Sequence, residues 1–264
     1  MARAFSKDVA NYMTLGADAI APLLNGAAKL SVGAWINAAT FTNGANDNGI
    51  INIHIDGTAV GLQLNIGSAA NTVRCAGRSQ AADALQASNG SAVSTATWHH
   101  IGGVLDVSGD TIRTYLNGVQ GSSTAVTFGA TTWTRATPTG TDFIGARTSA
   151  APPTTAQQLN GSLAELAVWI DDIGTAGFAA LADGISPMAI LPTALVDYWP
   201  LIGYASPEID RFGAKSGTIT GTVAAAAHMR VIYPEPRIFI RAAAAAAGDA
   251  VPQVWAQYRR RHSA

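Results

Sequence analysis

Short runs of alternating apolar and polar residues dominate the first two thirds of the chain. Between residues 50 and 55, for example, isoleucines alternate with Asn52 and His54. The same alternation recurs at residues 62–66, 112–116 and 163–169. Successive side chains of a strand point to opposite faces, so a period of two is typical of strands with one buried face. The pattern therefore predicts a β protein.

Tight-turn signals separate these runs. Asn-Gly or Asp-Gly pairs, which favour hairpin turns, occur at residues 43–44, 48–49, 56–57, 117–118 and 160–161. One short helix is predicted over residues 175–182, ended by Gly184. Many short strands with so little helix predict two stacked antiparallel sheets. We expect Trp35, Trp98 and Trp169 to lie between them.

The composition changes after residue 233. Pro234 and Pro236 interrupt the strand pattern, and the segment that follows is rich in Ala and Arg. Residues 1–210 contain 8 basic residues against 15 acidic ones, a net charge of −7, and residues 211–264 contain 8 against 2, a net charge of +6. A basic segment on an acidic body usually has a partner of its own. We therefore predict a sandwich over residues 1–233 and an extended C-terminal arm over residues 234–264.

Cysteine content and hydropathy restrict the cellular compartment that we expect for the protein. The single cysteine, Cys75, excludes an intramolecular disulfide and indicates a reducing compartment. The first residues lack the apolar stretch of a signal peptide, and no run reaches the roughly 18 apolar residues of a membrane span. Charged residues make up 12% of the chain, about half the usual ~25%. Such a surface suits a protein that packs against other proteins.

The order of several motifs resembles the laminin-G-like family. Leu-Ser-Val-Gly-Ala-Trp-Ile at residues 30–36 looks like its early strand, and Trp-His-His-Ile at 98–101 looks like a later one. Tyr-Leu-Asn-Gly at 115–118 and the strand at 159–169 resemble its hairpin and its late strand. The resemblance implies an all-β, concanavalin A-like (laminin-G-like) antiparallel β-sandwich jelly roll. This fold hosts lectins, glucanases, adhesins and structural modules, so it does not by itself give the function.

The carboxylates argue against catalysis. Glucanases of this superfamily use a Glu-x-Asp-x-x-Glu pair, in which one carboxylate is the nucleophile and the other the acid. This chain has only Glu165, Glu208 and Glu235, which are far apart in sequence. We therefore predict that the protein is not an enzyme.

Candidate metal ligands are equally sparse. His99 and His100 are neighbours on a predicted strand and so point to opposite faces, where they cannot bind one ion. The loop around Asp47 offers a single carboxylate, whereas calcium needs six or more oxygens. Ala164 stands where the family has an aspartate. We expect no bound calcium and no cofactor.

Trp133 is the candidate surface contact. It is the only tryptophan set among polar residues in a loop-like stretch, two positions before Arg135. An exposed indole there, with Arg135 beside it, would contact a partner protein or stack on a sugar. The alternative is that Trp133 covers the edge of the sandwich.

The arm carries alternating and clustered groups that suit assembly. Arg237, Phe239 and Arg241 fit a strand added to a neighbour's sheet edge. Trp255 and Tyr258 would be apolar anchors. Arg259, Arg260 and Arg261 would meet an acidic surface, and three charges are too few for firm nucleic-acid binding. The alternatives are a solvated terminus and an arm that folds back on its own sandwich.

Two main hypotheses on function follow, beside a degenerate enzyme domain. The first is a non-catalytic structural protein of a bacteriophage virion, either a capsid decoration protein or a fibre or tail module. It would be made in the host cytoplasm, and its partners would be other virion proteins and copies of itself. The alternative is a glycan-binding adhesin module that binds host-surface glycans. Neither hypothesis involves a membrane.

Overall fold

The structure is a computed structural model. Its strands form two antiparallel sheets. It describes residues 2–7, 10–41, 48–67, 70–147, 153–154, 157–203, 206–213, 215–221, 224–228 and 231–233. Strands make up 50% of the described residues and helices 8%, and the sheets form a concanavalin A-like sandwich. The predicted fold class is therefore confirmed. The chain divides into two units, Met1–Tyr233 and Pro234–Ala264, and every residue described belongs to the first.

Fifteen strands and two helices are described. The strands are β1 (Ala2–Phe5), β2 (Tyr12–Ala17), β3 (Lys29–Thr40), β4 (Asn48–His54), β5 (Val60–Gly67), β6 (Thr72–Gly77), β7 (Gln86–Ala92), β8 (His99–Asp106), β9 (Thr111–Leu116), β10 (Val119–Ala125), β11 (Thr141–Ile144), β12 (Asn160–Trp169), β13 (Leu195–Trp199), β14 (Thr218–Thr220) and β15 (Ala225–Ala226). The helices are α1 (Ala21–Leu24) and α2 (Gly174–Ala182), and a 3-10 turn covers Pro187–Ala189.

The strands form two sheets, which we call A and B. Sheet A has eight strands in the order β10-β9-β8-β3-β12-β1-β15, with β13 also paired to β12. Sheet B has seven strands in the order β14-β2-β11-β4-β5-β6-β7. The segment after β13 therefore carries the chain from sheet A to sheet B.

The core lies between the sheets and is built from every second residue of the facing strands. From β3 it takes Leu30, Val32, Ala34 and Ile36, and from β5 it takes Leu62, Leu64 and Ile66, all fully buried. Burying a side chain of this size stabilises the fold by about 1.5–3 kcal/mol. The alternation seen in the sequence is thus the alternation between this core and the outer faces.

The outer face of sheet A is also apolar, because α2 packs on it. The rings of Tyr115 and Phe178 are stacked with centroids 4.0 Å apart, and Trp169 lies in the same buried cluster. A Cβ on Gly102 would lie 2.1 Å from Phe178 Cε1, so only glycine lets the helix approach this closely. The helix predicted over residues 175–182 is confirmed.

The prediction that three tryptophans lie between the sheets is wrong. Trp169 belongs to the cluster under α2. Trp35 is buried on the outer face of sheet A with Ala164, and the half-buried Trp98 packs beside it. The fully buried Trp199 is the tryptophan that a β strand contributes to the core. A period of two separates the faces of a strand, but it cannot say which face is inside when both are apolar.

Candidate functional site

The outer face of sheet B is polar, in contrast to that of sheet A. Strand register aligns two rows of outward positions across β4 to β7. One row contains Asn52, Gln63, Ala76 and Ala87, and the other contains Gly49, Asn65, Arg74 and Asn89. We call Asn52, Gln63, Asn65, Arg74 and Asn89 the amide face.

The centre of the amide face is buried and ordered by hydrogen bonds. Asn52, Gln63 and Asn65 are 0%, 2% and 0% exposed. Gln63 Nε2 donates to Asn52 Oδ1 at 2.6 Å across the β4–β5 pair. Buried amides are costly unless they are hydrogen-bonded. This bond therefore fixes the side chains of Asn52 and Gln63 relative to each other.

Exposure rises towards β7, the last strand in the order of sheet B. Arg74 is half-buried and Asn89 is exposed, and these two residues are register partners on β6 and β7. Gly67 faces the same corner, since a Cβ there would lie 3.6 Å from Asn89 Oδ1 and 3.7 Å from Arg74 Cδ. The corner therefore brings one arginine and one asparagine together on neighbouring strands. Such groups can donate to and accept from the hydroxyls of a ligand.

A buried His–Asp contact lies at the other end of this face. Asp142 Oδ1 accepts from the His54 backbone N–H at 2.7 Å, and Oδ2 accepts from Ile20 N–H at 3.3 Å. Burial raises the pKa of Asp142, although the hydrogen bonds from His54 oppose the shift. The His54 ring packs edge-on against Phe143. The arrangement ties the start of α1 to β4 and β11, which is a structural role.

Trp133 is not at the surface, so the prediction of an exposed contact there is wrong. It is 0% exposed, and its Nε1 donates to Gly61 O at 3.3 Å. A Cβ on Gly61 would lie 2.5 Å from Trp133 Cζ2, so glycine makes the room for the ring. A ring buried on both faces cannot stack on a sugar. Arg135 is partly exposed and its Nη1 donates to Asp18 Oδ1 at 2.6 Å.

The two histidines face opposite sides, as predicted. His99 is half-buried, with Nε2 2.9 Å from Ser94 Oγ. His100 is buried on the outer face of sheet A between Trp35 and Phe178. Burial lowers the pKa of His100 to about 3, so the ring is neutral at physiological pH.

The glutamates of the described chain lie in separate clusters. Arg3 Nη2 lies 2.5 Å from Glu208 Oε2, and both side chains are 3% exposed. Glu165 accepts from the hydroxyls of Tyr198 and Tyr233. Burial first, and then the Glu165 charge, raise the pKa of Tyr198. Each of these two carboxylates is thus held by partners of its own.

Metal ligands and the arm remain predictions. Within the described residues, no group of three or more His, Cys, Asp or Glu side chains could hold a metal ion. Asp47 and the whole arm lie outside the described residues. That applies to Arg237, Phe239, Arg241, Trp255, Tyr258, Arg259, Arg260 and Arg261. None of the helices in the described part of the chain is long and apolar enough to cross a membrane.

Sequence reasoning missed the amide face. The signal was present, because Asn52, Gln63 and Asn65 are the polar members of the alternating runs. Alternation suggests that such residues face water. Only the register between strands shows that they align, and only burial shows that they are enclosed.

The two stacked antiparallel sheets define a concanavalin A-like β-sandwich. A laminin G family model of the concanavalin A-like lectin/glucanases superfamily matches residues 7–173. The chain belongs to this family. No curated protein sequence matches the chain significantly.

Solved structures agree on the fold. A Bacteroides ovatus protein described as a candidate carbohydrate-binding protein has a TM-score of 0.62 at 20% identity, over 86% of this chain and 60% of its own. The chain thus spans less than two thirds of that protein. The SAP-like pentraxin of Limulus polyphemus gives 0.56 at 14% identity, covering 88% and 97% of the two chains. The sialidase CBM40 of Ruminococcus gnavus, bound to α2,3 sialyllactose, gives 0.52 at 13% identity, covering 68% and 97%.

Proposed function

We propose that the protein is a non-catalytic glycan-binding module and that a sugar docks on the amide face at Arg74 and Asn89. The observation that carries the proposal is the polar outer face of sheet B, where buried amides align with the half-buried Arg74 and the exposed Asn89. Asn52, Gln63 and Asn65 are positioning residues, because they fix the strands that present the two contacts. The R. gnavus CBM40 is similar in fold and binds a sialylated sugar, which supports the same class of ligand.

The carboxylates support a non-catalytic role. Glycoside hydrolysis needs two carboxyl groups that flank one bond. Glu165 and Glu208 are each buried against partners of their own. A chain with this arrangement can bind a glycan without cleaving it.

Glycan-array binding followed by calorimetry tests the proposal. We expect the full chain to bind at least one glycan, and Arg74→Ala to lower its affinity roughly 10–100-fold, as expected for a lost hydrogen bond to a charged group. Asn89→Ala should have a smaller effect. The matched control is Arg211→Ala, which removes an exposed arginine elsewhere. Absence of glycan binding, or equal binding by all variants, would contradict the proposal.

A second candidate is a virion structural protein with residues 234–264 as its assembly arm. It is favoured by the low charged share and by the opposite charges of body and arm. Its partners would be other virion proteins and copies of this chain, and its location the virion. Deleting residues 234–264 should leave the melting temperature of the sandwich nearly unchanged but abolish assembly. Normal assembly of the truncated chain would exclude this role.

A further inference from the structure

Two carboxyl groups meet in the interior where the chain passes from sheet A to sheet B. Asp197, in β13, is 0% exposed. Neither of its carboxyl oxygens has a hydrogen-bond donor in the described part of the chain. Its neighbour is Asp210, on the segment that follows β13. An acid with no N–H or O–H partner in the interior needs another source of stabilisation.

Asp210, in contrast, has a full set of backbone donors. Its Oδ1 accepts from Tyr198 N–H at 2.9 Å and from Phe212 N–H at 2.8 Å. Its Oδ2 accepts from Lys215 N–H at 2.9 Å. Both oxygens of Asp210 thus accept hydrogen bonds from the backbone. Asp210 is therefore the hydrogen-bond acceptor of the pair.

The packing around Gly213 shows that oxygens of both carboxyl groups face the same place. A Cβ on Gly213 would lie 2.2 Å from Asp197 Oδ1, 2.3 Å from Val196 O and 2.9 Å from Asp210 Oδ2. No side chain fits there. Two ionised carboxylates this close and away from water would repel each other strongly, so only one of them can carry a charge.

We propose that Asp197 and Asp210 share one proton, and that loss of this proton in alkali opens the segment around residues 210–215. The neutral Asp197 carboxyl would donate its O–H to Asp210. The shared proton then holds β13 of sheet A against the segment that leads to β14 of sheet B. The pair is thus an alkali-sensitive contact between sheet A and the segment that leads to sheet B.

Burial and the charges around the pair determine how its contribution to stability changes with pH. Burial, followed by the hydrogen bond and charge of Asp210, raises the pKa of Asp197 from 3.8 to about 8. Asp142 on β11 adds to the shift and Lys215 opposes it. The register partner on β12 is the uncharged Val168. Because the folded pKa is the higher one, the contribution to stability is complete below about pH 4 and is lost as the pH rises through about 8.

Other contacts keep parts of this segment in place when the proton is lost. Glu208 is paired with Arg3 of β1, and Glu208 and Gly217 exchange two backbone hydrogen bonds. Trp199 Nε1 donates to Lys215 O at 2.8 Å. We therefore expect a local opening around residues 210–215 before any global unfolding.

The carboxyl carbon resonances of the full chain, labelled with ¹³C at aspartate, provide the direct test. One aspartate should titrate near pH 8, and its signal should disappear in Asp197→Asn. Hydrogen exchange at residues 210–215 should accelerate more than tenfold, relative to Asp197→Asn at the same pH, when the pH is raised from 7 to 9. The side-chain amide that this substitution introduces would replace the shared proton as the donor to Asp210, so the variant should lose the alkaline sensitivity.

The matched control is Asp183→Asn, the same change at an exposed position after α2. It should keep the alkaline transition of the wild type. Titration of every aspartate below pH 6 would overturn the proposal. So would a calcium-dependent rise in melting temperature that Asp197→Asn abolishes, because a cation would then take the place of the proton. If Asp197→Asn fails to fold, the wild-type titration decides alone.

Discussion

The two outer faces of this sandwich both have a buried centre, but the residues buried there differ in kind. On sheet A, aromatic rings such as Tyr115 and Trp169 pack beneath α2. On sheet B, the corresponding positions carry amides, of which Asn52 and Gln63 bond to each other. Apolar packing needs only a partner of matching shape, whereas buried amides need partners of matching polarity. Sheet A is thus covered by its own helix, whereas the buried residues of sheet B need polar partners.

The comparison is tested most strongly by removing the cover of sheet A. Phe178→Ala deletes a fully buried ring that stacks on Tyr115. We expect the free energy of unfolding to fall by about 3–5 kcal/mol, measured by urea denaturation. Glycan affinity at sheet B should not change at a temperature where the variant is folded. The control is Leu23→Ala, since Leu23 is 38% exposed. A stability loss no larger than that of the control would contradict the role of Phe178.

A smaller effect is expected from making sheet B apolar. Asn52→Leu leaves Gln63 Nε2 without its acceptor, and we expect a loss of about 1–3 kcal/mol. The double change with Gln63→Leu should cost less than the two single changes together, because both partners of the bond are then apolar. Denaturation of all four proteins in a double-mutant cycle measures the coupling. Simple additivity would mean that the amide pair is not an energetic unit.

The smallest effect is expected for the pH dependence of stability that arises from the buried His100 under α2. His100 has a folded pKa of about 3 against an ordinary 6.5. The neutral His100 ring therefore contributes fully to the free energy of unfolding above pH 6.5. This contribution falls by about 1.4 kcal/mol for each pH unit below that value. His100→Gln should flatten the stability profile between pH 4 and 6, measured by thermal melts, whereas His99→Gln should not. An unchanged slope in His100→Gln would exclude His100 as the source.

Much of the fold could be predicted from local pattern, because strands, turns and α2 depend on residues close in sequence. What could not be predicted depends on distant contacts. Trp133 stands among threonines, and only the close approach of Gly61 shows that its ring is buried. Trp35 and Trp169 alternate correctly, yet they belong to the outer side of sheet A. The amide face likewise cannot be recognised in any single strand, because its residues are brought together only by the register of the four strands β4 to β7.

The first strand of this protein has partners that are made very late. Arg3 of β1 is paired with Leu163 of β12 and with Ala225 of β15. During synthesis, the backbone groups of β1 therefore stay unpaired with their strand partners until β12 and β15 have left the ribosome. Loop closure over such distances is slow, and contacts of this kind lower folding rates. We expect hairpins such as β4–β5 to form early, whereas the β1–β15 pair completes the sandwich last.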